Sequence, residues 1–158
     1  MADAISLRDV EDSDLPLFFR FQLDEEANRM AAFTSRDPSD RNAFAAPWAK
    51  IRNDPTVTMR TILFEGRVAG SVGSYVRDGR LEVTYWIGRE FWGKGIATRA
   101  LRGFLTLVRT RPICASAASD NFASIRVLGK CGFRPTGSAR AFADARGREI
   151  EEVFLQPD

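Results

Sequence analysis

The stretch of this 158-residue chain with the most chemical promise is Tyr85-Trp86-Ile87-Gly88-Arg89-Glu90-Phe91-Trp92-Gly93-Lys94-Gly95-Ile96-Ala97-Thr98. It reads as a strand, a tight turn and the start of a helix. Small residues at 93, 95 and 97 let a ligand approach the backbone closely. The first turn of a helix leaves its N–H groups without intrahelical partners and carries about half a positive charge. Turn and helix start together make an anion site suited to a phosphate or pyrophosphate, and Lys94 adds a mobile positive charge. The chain has no histidine. That removes the commonest general base and metal ligand and excludes a Ser-His-Asp triad. Two cysteines, Cys114 and Cys131, cannot complete a zinc site, so no metal is expected. Acid–base work falls to Glu, Asp, Tyr, Ser, Cys, Lys or water.

Three readings of the turn compete. Gly88-x-x-x-x-Gly93-Lys94 matches most of a P-loop, but Gly95 stands where a Ser or Thr would hold magnesium. Gly93-x-Gly95 begins a dinucleotide fingerprint, but Thr98 stands in place of its third glycine, and the strands before it form hairpins rather than a βαβ start. The third reading is a glycine-rich turn with no ligand.

These residues need elements to hold them. Ile5–Arg8 is a strand candidate. Asp12 and Ser13 offer caps for a helix bearing Leu15 to Leu23, and Ser39 offers one for a second helix bearing Phe44, Trp48 and Ile51. Strands follow over 56–64, 68–76 and 81–87, separated by the turn signals Glu65-Gly66 and Asp78-Gly79. From Ile96 to Val108 the apolar period becomes helical. Ile113–Ala118 is an uncharged central strand, Asp120-Asn121 opens another helix with Gly132 as its stop, and strands near 134–143 and 149–155 close the chain. The order is β-α-α-β-β-β-α-β-α-β-β. The unit spanning 81–118 implies a right-handed crossover between two parallel strands, and the hairpins imply antiparallel pairs around it. The fold class is therefore mixed α/β, with one domain over residues 1–158. At 44% hydrophobic and 28% charged, the chain can bury a core. A net charge of +2 argues against nucleic acid or an anionic membrane as the main partner. The N-terminus shows no signal-peptide pattern and no run is long enough to span a membrane, so a cytoplasmic setting is expected.

Glu90-Phe91-Trp92-Gly93-Lys94-Gly95 resembles the pyrophosphate loop of the GNAT superfamily, the acyl-CoA-dependent N-acyltransferases, which reads (Gln/Arg)-x-x-Gly-x-(Gly/Ala). Asp120-Asn121-Phe122-Ala123-Ser124-Ile125-Arg126-Val127-Leu128-Gly129-Lys130-Cys131-Gly132-Phe133 resembles the N-x-x-S-x-x-V-L-E-K-x-G-F block of its branch containing RimJ/RimL-type ribosomal-protein N-terminal acetyltransferases. Glu90 departs from the usual Gln or Arg. Gly129 departs from the usual Glu, at about 1 kcal/mol relative to Ala in mid-helix.

The resemblance implies a mostly antiparallel sheet with a central, splayed parallel pair flanked by helices. It implies acetyl-CoA as co-substrate, and transfer of its acetyl group to a primary amine by direct attack in a ternary complex. That amine would belong to a protein or peptide N-terminus or to a small molecule. The alternative is a non-catalytic module that binds or senses acyl-CoA. The implied cofactor-binding set is Trp86, Ile87, Gly88, Trp92, Gly93, Lys94, Gly95, Ile96, Ala97, Asn121, Ser124 and Lys130. Trp86–Gly88 would pair with pantetheine like an added strand, and the Gly93–Ala97 amides would cradle the pyrophosphate. Taken alone, Asn121 and Ser124 read as a helix cap and a first-turn polar residue, and it is the matched block that gives them a functional reading. In the block, Ser124 would hydrogen-bond the cofactor or donate a proton to the leaving thiolate, and the tyrosine acid that many members carry in this helix does not occur between Asn121 and Phe133. Alternation places Glu82, Thr84 and Trp86 on one strand face, and Glu82 is the candidate base, ahead of Glu149, Glu151 and Glu152. Trp86 or Ile87 would offer an N–H to the developing negative charge. Arg89, Arg99, Arg102 or Lys130 would meet the 3′-phosphate. The acceptor would lie near Phe33, Arg36, Asp37 and Trp48, of which Phe33 and Trp48 also read as core. A homodimer is an expectation from the family.

Overall fold

The computed structural model describes residues 4–157. The elements are β1 (Ile5–Asp9), a 3-10 turn (Asp12–Asp14), α1 (Leu15–Gln22), α2 (Glu25–Ala31), α3 (Arg41–Ile51), β2 (Thr58–Phe64), β3 (Arg67–Arg77), β4 (Arg80–Ile87), a second 3-10 turn (Arg89–Phe91), α4 (Ile96–Leu107), β5 (Ile113–Ala118), α5 (Phe122–Lys130), β6 (Phe133–Ala143) and β7 (Arg148–Pro157). The strands form one seven-stranded sheet in the order β1-β2-β3-β4-β5-β7-β6. Every neighbouring pair is antiparallel except β4–β5.

Local chemistry accounts for most of these elements. The hairpins turn at Glu65-Gly66 and Asp78-Gly79, where both residues of each pair have positive φ, as a two-residue turn matching strand twist requires. Helix α4 buries Ile96, Ala100, Leu101 and Phe104, one stripe at helical spacing. They meet Ile62, Val72, Ile113 and Leu155 from the sheet in a single core cluster.

Before β2 the chain forms three helices rather than the two expected. The stripe from Leu15 to Leu23 breaks because Asp24 turns its carboxylate back to the amide of Ala27 and starts α2. Asp40, not Ser39, caps α3, and Ser39 instead bonds the Asp37 carboxylate. Asp12 and Ser13 lie in the first 3-10 turn, and the anchoring carboxylate there is Asp14. It is buried and accepts from Arg8 twice (2.7 and 2.9 Å), from Thr61 Oγ1 (2.6 Å) and from the Glu11 amide (2.9 Å). This ties β1, β2 and the entry to α1 together.

Candidate active site

Strands β4 and β5 touch only at Leu81↔Ile113 and Glu82↔Cys114. Beyond that point β4 follows β3 as far as Ile87, while β5 turns away to pair with β7. The wedge between them opens a cavity of about 840 Å³. Its walls include Val83, Tyr85 and Ile87 of β4, Ala115 and Ala117 of β5, and the turn residues Gly93, Gly95, Ile96 and Ala97.

Strand parity decides which backbone groups face this gap. The Gly88 amide donates to the Ala69 carbonyl (2.9 Å), fixing 69 and 88 as a bonded pair. Bonded pairs alternate along an antiparallel ladder, so Trp86 and Glu82 also turn their N–H and C=O toward β3. A Cβ added at Gly70 would fall 2.0 Å from the Trp86 carbonyl oxygen, as expected if that oxygen points at β3. This corrects two expectations. Trp86 and Gly88 have no free backbone edge for pantetheine, and Trp86 is not the N–H donor to developing charge. Tyr85 and Ile87, beyond the last β5 pairing, present their backbone to the gap instead. Gly88 is glycine for packing, since a Cβ there would lie 2.6 Å from the Phe21 ring.

At the mouth, Gly93 and Gly95 have φ of 77° and 73°, and Gly95 is the N-cap of α4. Glycine has no side chain with which to cap, so the first amides of α4 stay open to an anion. The Ile87 carbonyl accepts from Trp92 Nε1 (2.9 Å), pinning that indole beside the turn. Lys94 is solvent-exposed, while Lys130 reaches the cavity wall. Arg89 is committed elsewhere, to Asp24 (3.2 Å) and Glu26 (2.7 Å), which removes it from the phosphate candidates. Arg102 donates to the Lys130 carbonyl (3.0 Å).

On α5, Asn121 Oδ1 accepts from the Ser124 amide (3.2 Å), so its oxygen serves as the cap and only its NH₂ faces a ligand. Ser124 Oγ lies 2.8 Å from the hydroxyl of Tyr85. Burial pushes the Tyr85 phenol up to about 12, so it stays protonated at neutral pH. Tyr85 is not among the site residues expected from the sequence, because the resemblance places a tyrosine only on the helix, where none occurs. The signal was there, because alternation sets Tyr85 on the face opposite Glu82, Thr84 and Trp86.

Glu82 is 6% exposed at the neck where the two strands part. It accepts from Ser116 Oγ at 2.5 Å and has Arg77 Nη1 at 3.5 Å. Arg77 is bidentate to Glu152, itself 4% exposed, at 2.9 and 3.1 Å. The hydrogen bond to Glu152 raises the Arg77 guanidinium above its ordinary range against the opposing effect of burial. Burial and then the Glu82 charge raise the Tyr75 phenol. Glu149 and Glu151 are exposed on β7. Among the acceptor candidates, Phe33 lines the cavity. Trp48 packs in the core on Phe18 (5.4 Å) and Phe44 (6.3 Å), and Arg36 and Asp37 line a separate pocket of about 320 Å³. Among the described residues there is no cluster of His, Cys, Asp and Glu able to hold a metal ion, and no helix long and apolar enough to cross a membrane.

Comparison with known proteins agrees with this geometry. An uncharacterized N-acetyltransferase, p20, of Bacillus licheniformis is 36% identical over 92 residues, which is 53% of this chain and 51% of that protein, so the match spans about half of that relative's length. YdaF of Bacillus subtilis, provisionally named a ribosomal N-acetyltransferase, is 29% identical over 133 residues, covering 77% of this chain and 73% of its own. The fold is shared with the spermidine N-acetyltransferase of Vibrio cholerae, solved with CoA and spermine, at a TM-score of 0.79 and 17% identity over 96% of this chain and 95% of that one. The model of the acetyltransferase (GNAT) domain matches residues 5–134. With that match running from β1 to the start of β6, through the splayed strands and the open helix start, the chain belongs to the GNAT acetyltransferase family.

Proposed function

We propose that this chain is a single catalytic domain that moves an acetyl group from acetyl-CoA to a primary amine, by direct attack within a ternary complex. The observation that carries the reading is the wedge itself, with open amides at its mouth and a buried carboxylate at its neck. The fit to acetyl-CoA is chemical. The uncapped start of α4 suits the pyrophosphate, Tyr85 offers unpaired strand backbone to pantetheine, and Lys130 and Asn121 add donors from α5. Acetyl-CoA supplies the thioester. Near neutral pH an alkylamine is mostly ammonium, so Glu82 takes the proton that must leave before attack. The Ile87 N–H, facing the gap, donates to the carbonyl oxygen as negative charge gathers there. The Ser124–Tyr85 pair hands a proton to the departing sulfur. The chain's place in the ribosomal-protein branch favours an N-terminal amine, and the V. cholerae enzyme favours a small amine equally. A homodimer in the cytoplasm completes the reading, and light scattering tests the dimer.

An acceptor panel of short peptides and small amines, followed by free-thiol release, tests the proposal. Acceptor-dependent thiol release is expected. Calorimetric binding of acetyl-CoA with no release for any amine would leave only a binding module. Tyr85→Phe is expected to lower kcat on the order of 10-fold, less than losing a sole proton donor, because Ser124 keeps its hydroxyl. An unchanged kcat would remove the pair from the proton path.

A further inference from the structure

We propose that Arg77 and Glu152 are positioning residues that set the charge balance around Glu82, and through it the pH at which the acceptor amine is deprotonated. The inference rests on the reading of Glu82 as the base. The three side chains come from β3, β4 and β7 and meet at the neck of the wedge, where β4 and β5 make their last contact. One nitrogen, Arg77 Nη1, serves both carboxylates, at 2.9 Å from Glu152 and 3.5 Å from Glu82. Arg77 Nη2 adds a second bond to Glu152 at 3.1 Å, and Nη1 also reaches Ser116 Oγ at 3.3 Å. The guanidinium is therefore spent mainly on Glu152. Glu82 keeps one long contact to it and one short bond from Ser116. Two buried carboxylates share a single cation, and the uncompensated charge lies on Glu82, which lines the cavity.

The other groups facing Glu82 do not supply that missing charge. Tyr75 on β3 is a phenol raised by burial and by Glu82 itself. Ser116 on β5 is an uncharged donor, and Cys114 meets Glu82 as its backbone register partner. Helix α2 contributes only Met30, Ala31 and Ala27 to the wall. The remaining cations of the wall, Arg126 and Lys130, sit on α5. Glu152 thus acts on Glu82 in two ways, by like-charge repulsion and by holding Arg77 away from it. Arg77 acts in the opposite sense.

The two substitutions must therefore move the acidic limb of the kcat/KM profile in opposite directions. Glu152→Gln keeps the shape, removes the repelling charge and frees Arg77 for Glu82, so the limb moves to lower pH. Arg77→Met leaves two carboxylates with no cation between them, one of which holds its proton longer, so the limb moves to higher pH. Each displacement is expected to be about one pH unit, the lower end for a neighbouring charge at this range. Arg77→Lys keeps the cation and is expected to bring the limb most of the way back. Profiles with an amine acceptor, together with a thermal melt of each variant, test this. Opposite shifts with rescue by lysine support the proposal. Shifts in the same direction, or lost kcat with an unmoved limb, overturn it and make the trio a structural staple. If Arg77→Met fails to fold, Glu152→Gln decides the question, a limb moved to lower pH supporting the proposal and an unmoved limb or one moved to higher pH overturning it. Glu82→Gln separates the two readings. Full activity with the limb intact removes Glu82 as the base, whereas a lost limb there beside unmoved limbs in the Arg77 and Glu152 variants defeats only this inference.

Discussion

Glu82→Gln is expected to lower kcat for acetyl transfer by about 10²–10⁴-fold, the usual contribution of a general base. Binding of acetyl-CoA, measured by calorimetry, is expected to hold, because the anion site at Gly93–Ala97 lies at the other end of β4. The substitution is nearly isosteric. The amide oxygen can still accept from Ser116, which donates to the Glu82 carboxylate at 2.5 Å, so the neck is expected to keep its packing. What disappears is the charge that accepts the amine's proton. The effect should shrink as pH rises, because a growing fraction of the acceptor arrives already deprotonated. A loss that stayed constant across pH would point to a placement defect rather than a missing base. Glu152 cannot easily substitute, since both its oxygens are held by Arg77. A loss of less than about threefold would therefore mean that solvent takes the proton, as a site lacking any effective base requires.

The parts of this site that were legible in the sequence are those written in local chemistry. Gly93 and Gly95 declare a turn with positive φ, and the change of period at Ile96 declares the helix it opens. Asp78-Gly79 declares a two-residue hairpin. That turn also sets the parity of the strand after it. A two-residue hairpin closes on a bonded pair, here Arg77↔Arg80, and counting on by twos gives 82, 84, 86 and 88 as the residues bonded to β3. Tyr85 and Ile87 follow as the residues facing the gap, with no structure needed. Other features had no local trace. Tyr85 meets Ser124 across 39 positions, and Arg77 meets Glu152 across 75. The first joins β4 to α5, and the second depends on strand order, with β7 inserting between β5 and β6. The break between α1 and α2 was hidden because Asp24 reads as one more polar position in a helical stripe until its carboxylate is seen on the Ala27 amide. Trp48 carried no sign of whether it faced the cavity or the core, and the core took it, against Phe18 and Phe44.

Asp14→Ala is expected to destabilise the fold by about 3–5 kcal/mol, the range for breaking a buried pair by removing one partner. The loss is large beside a total stability of roughly 5–15 kcal/mol. Asp14 is 1% exposed and holds four donors from three segments. Removing it leaves Thr61, which is fully buried, without its 2.6 Å partner, and leaves the Glu11 amide and the Arg8 guanidinium to find others. Arg8 is 30% exposed along its side chain and regains water, which places the loss toward the lower end of the range. The pH dependence carries the sharper signature. Burial alone would raise the carboxyl, but hydrogen bonds from Arg8, the Glu11 amide and Thr61, with the Arg8 charge, bring it down to about 2 from an ordinary 3.8. A depressed carboxyl stabilises the fold above its unfolded value and loses that contribution as pH falls through its folded value. Asp14 thus contributes about 2 kcal/mol above pH 4 that fades between roughly pH 4 and pH 2. Urea unfolding from pH 7 to pH 2 checks this. The wild-type curve should fall through that window more steeply than the Asp14→Asn curve, which keeps the size of the side chain and has no proton to take up. Parallel curves would show that Asp14 is held by packing rather than by its charge. In that case Asp14→Asn should match the wild type at pH 7, where the ionic reading instead expects a loss of about 2 kcal/mol.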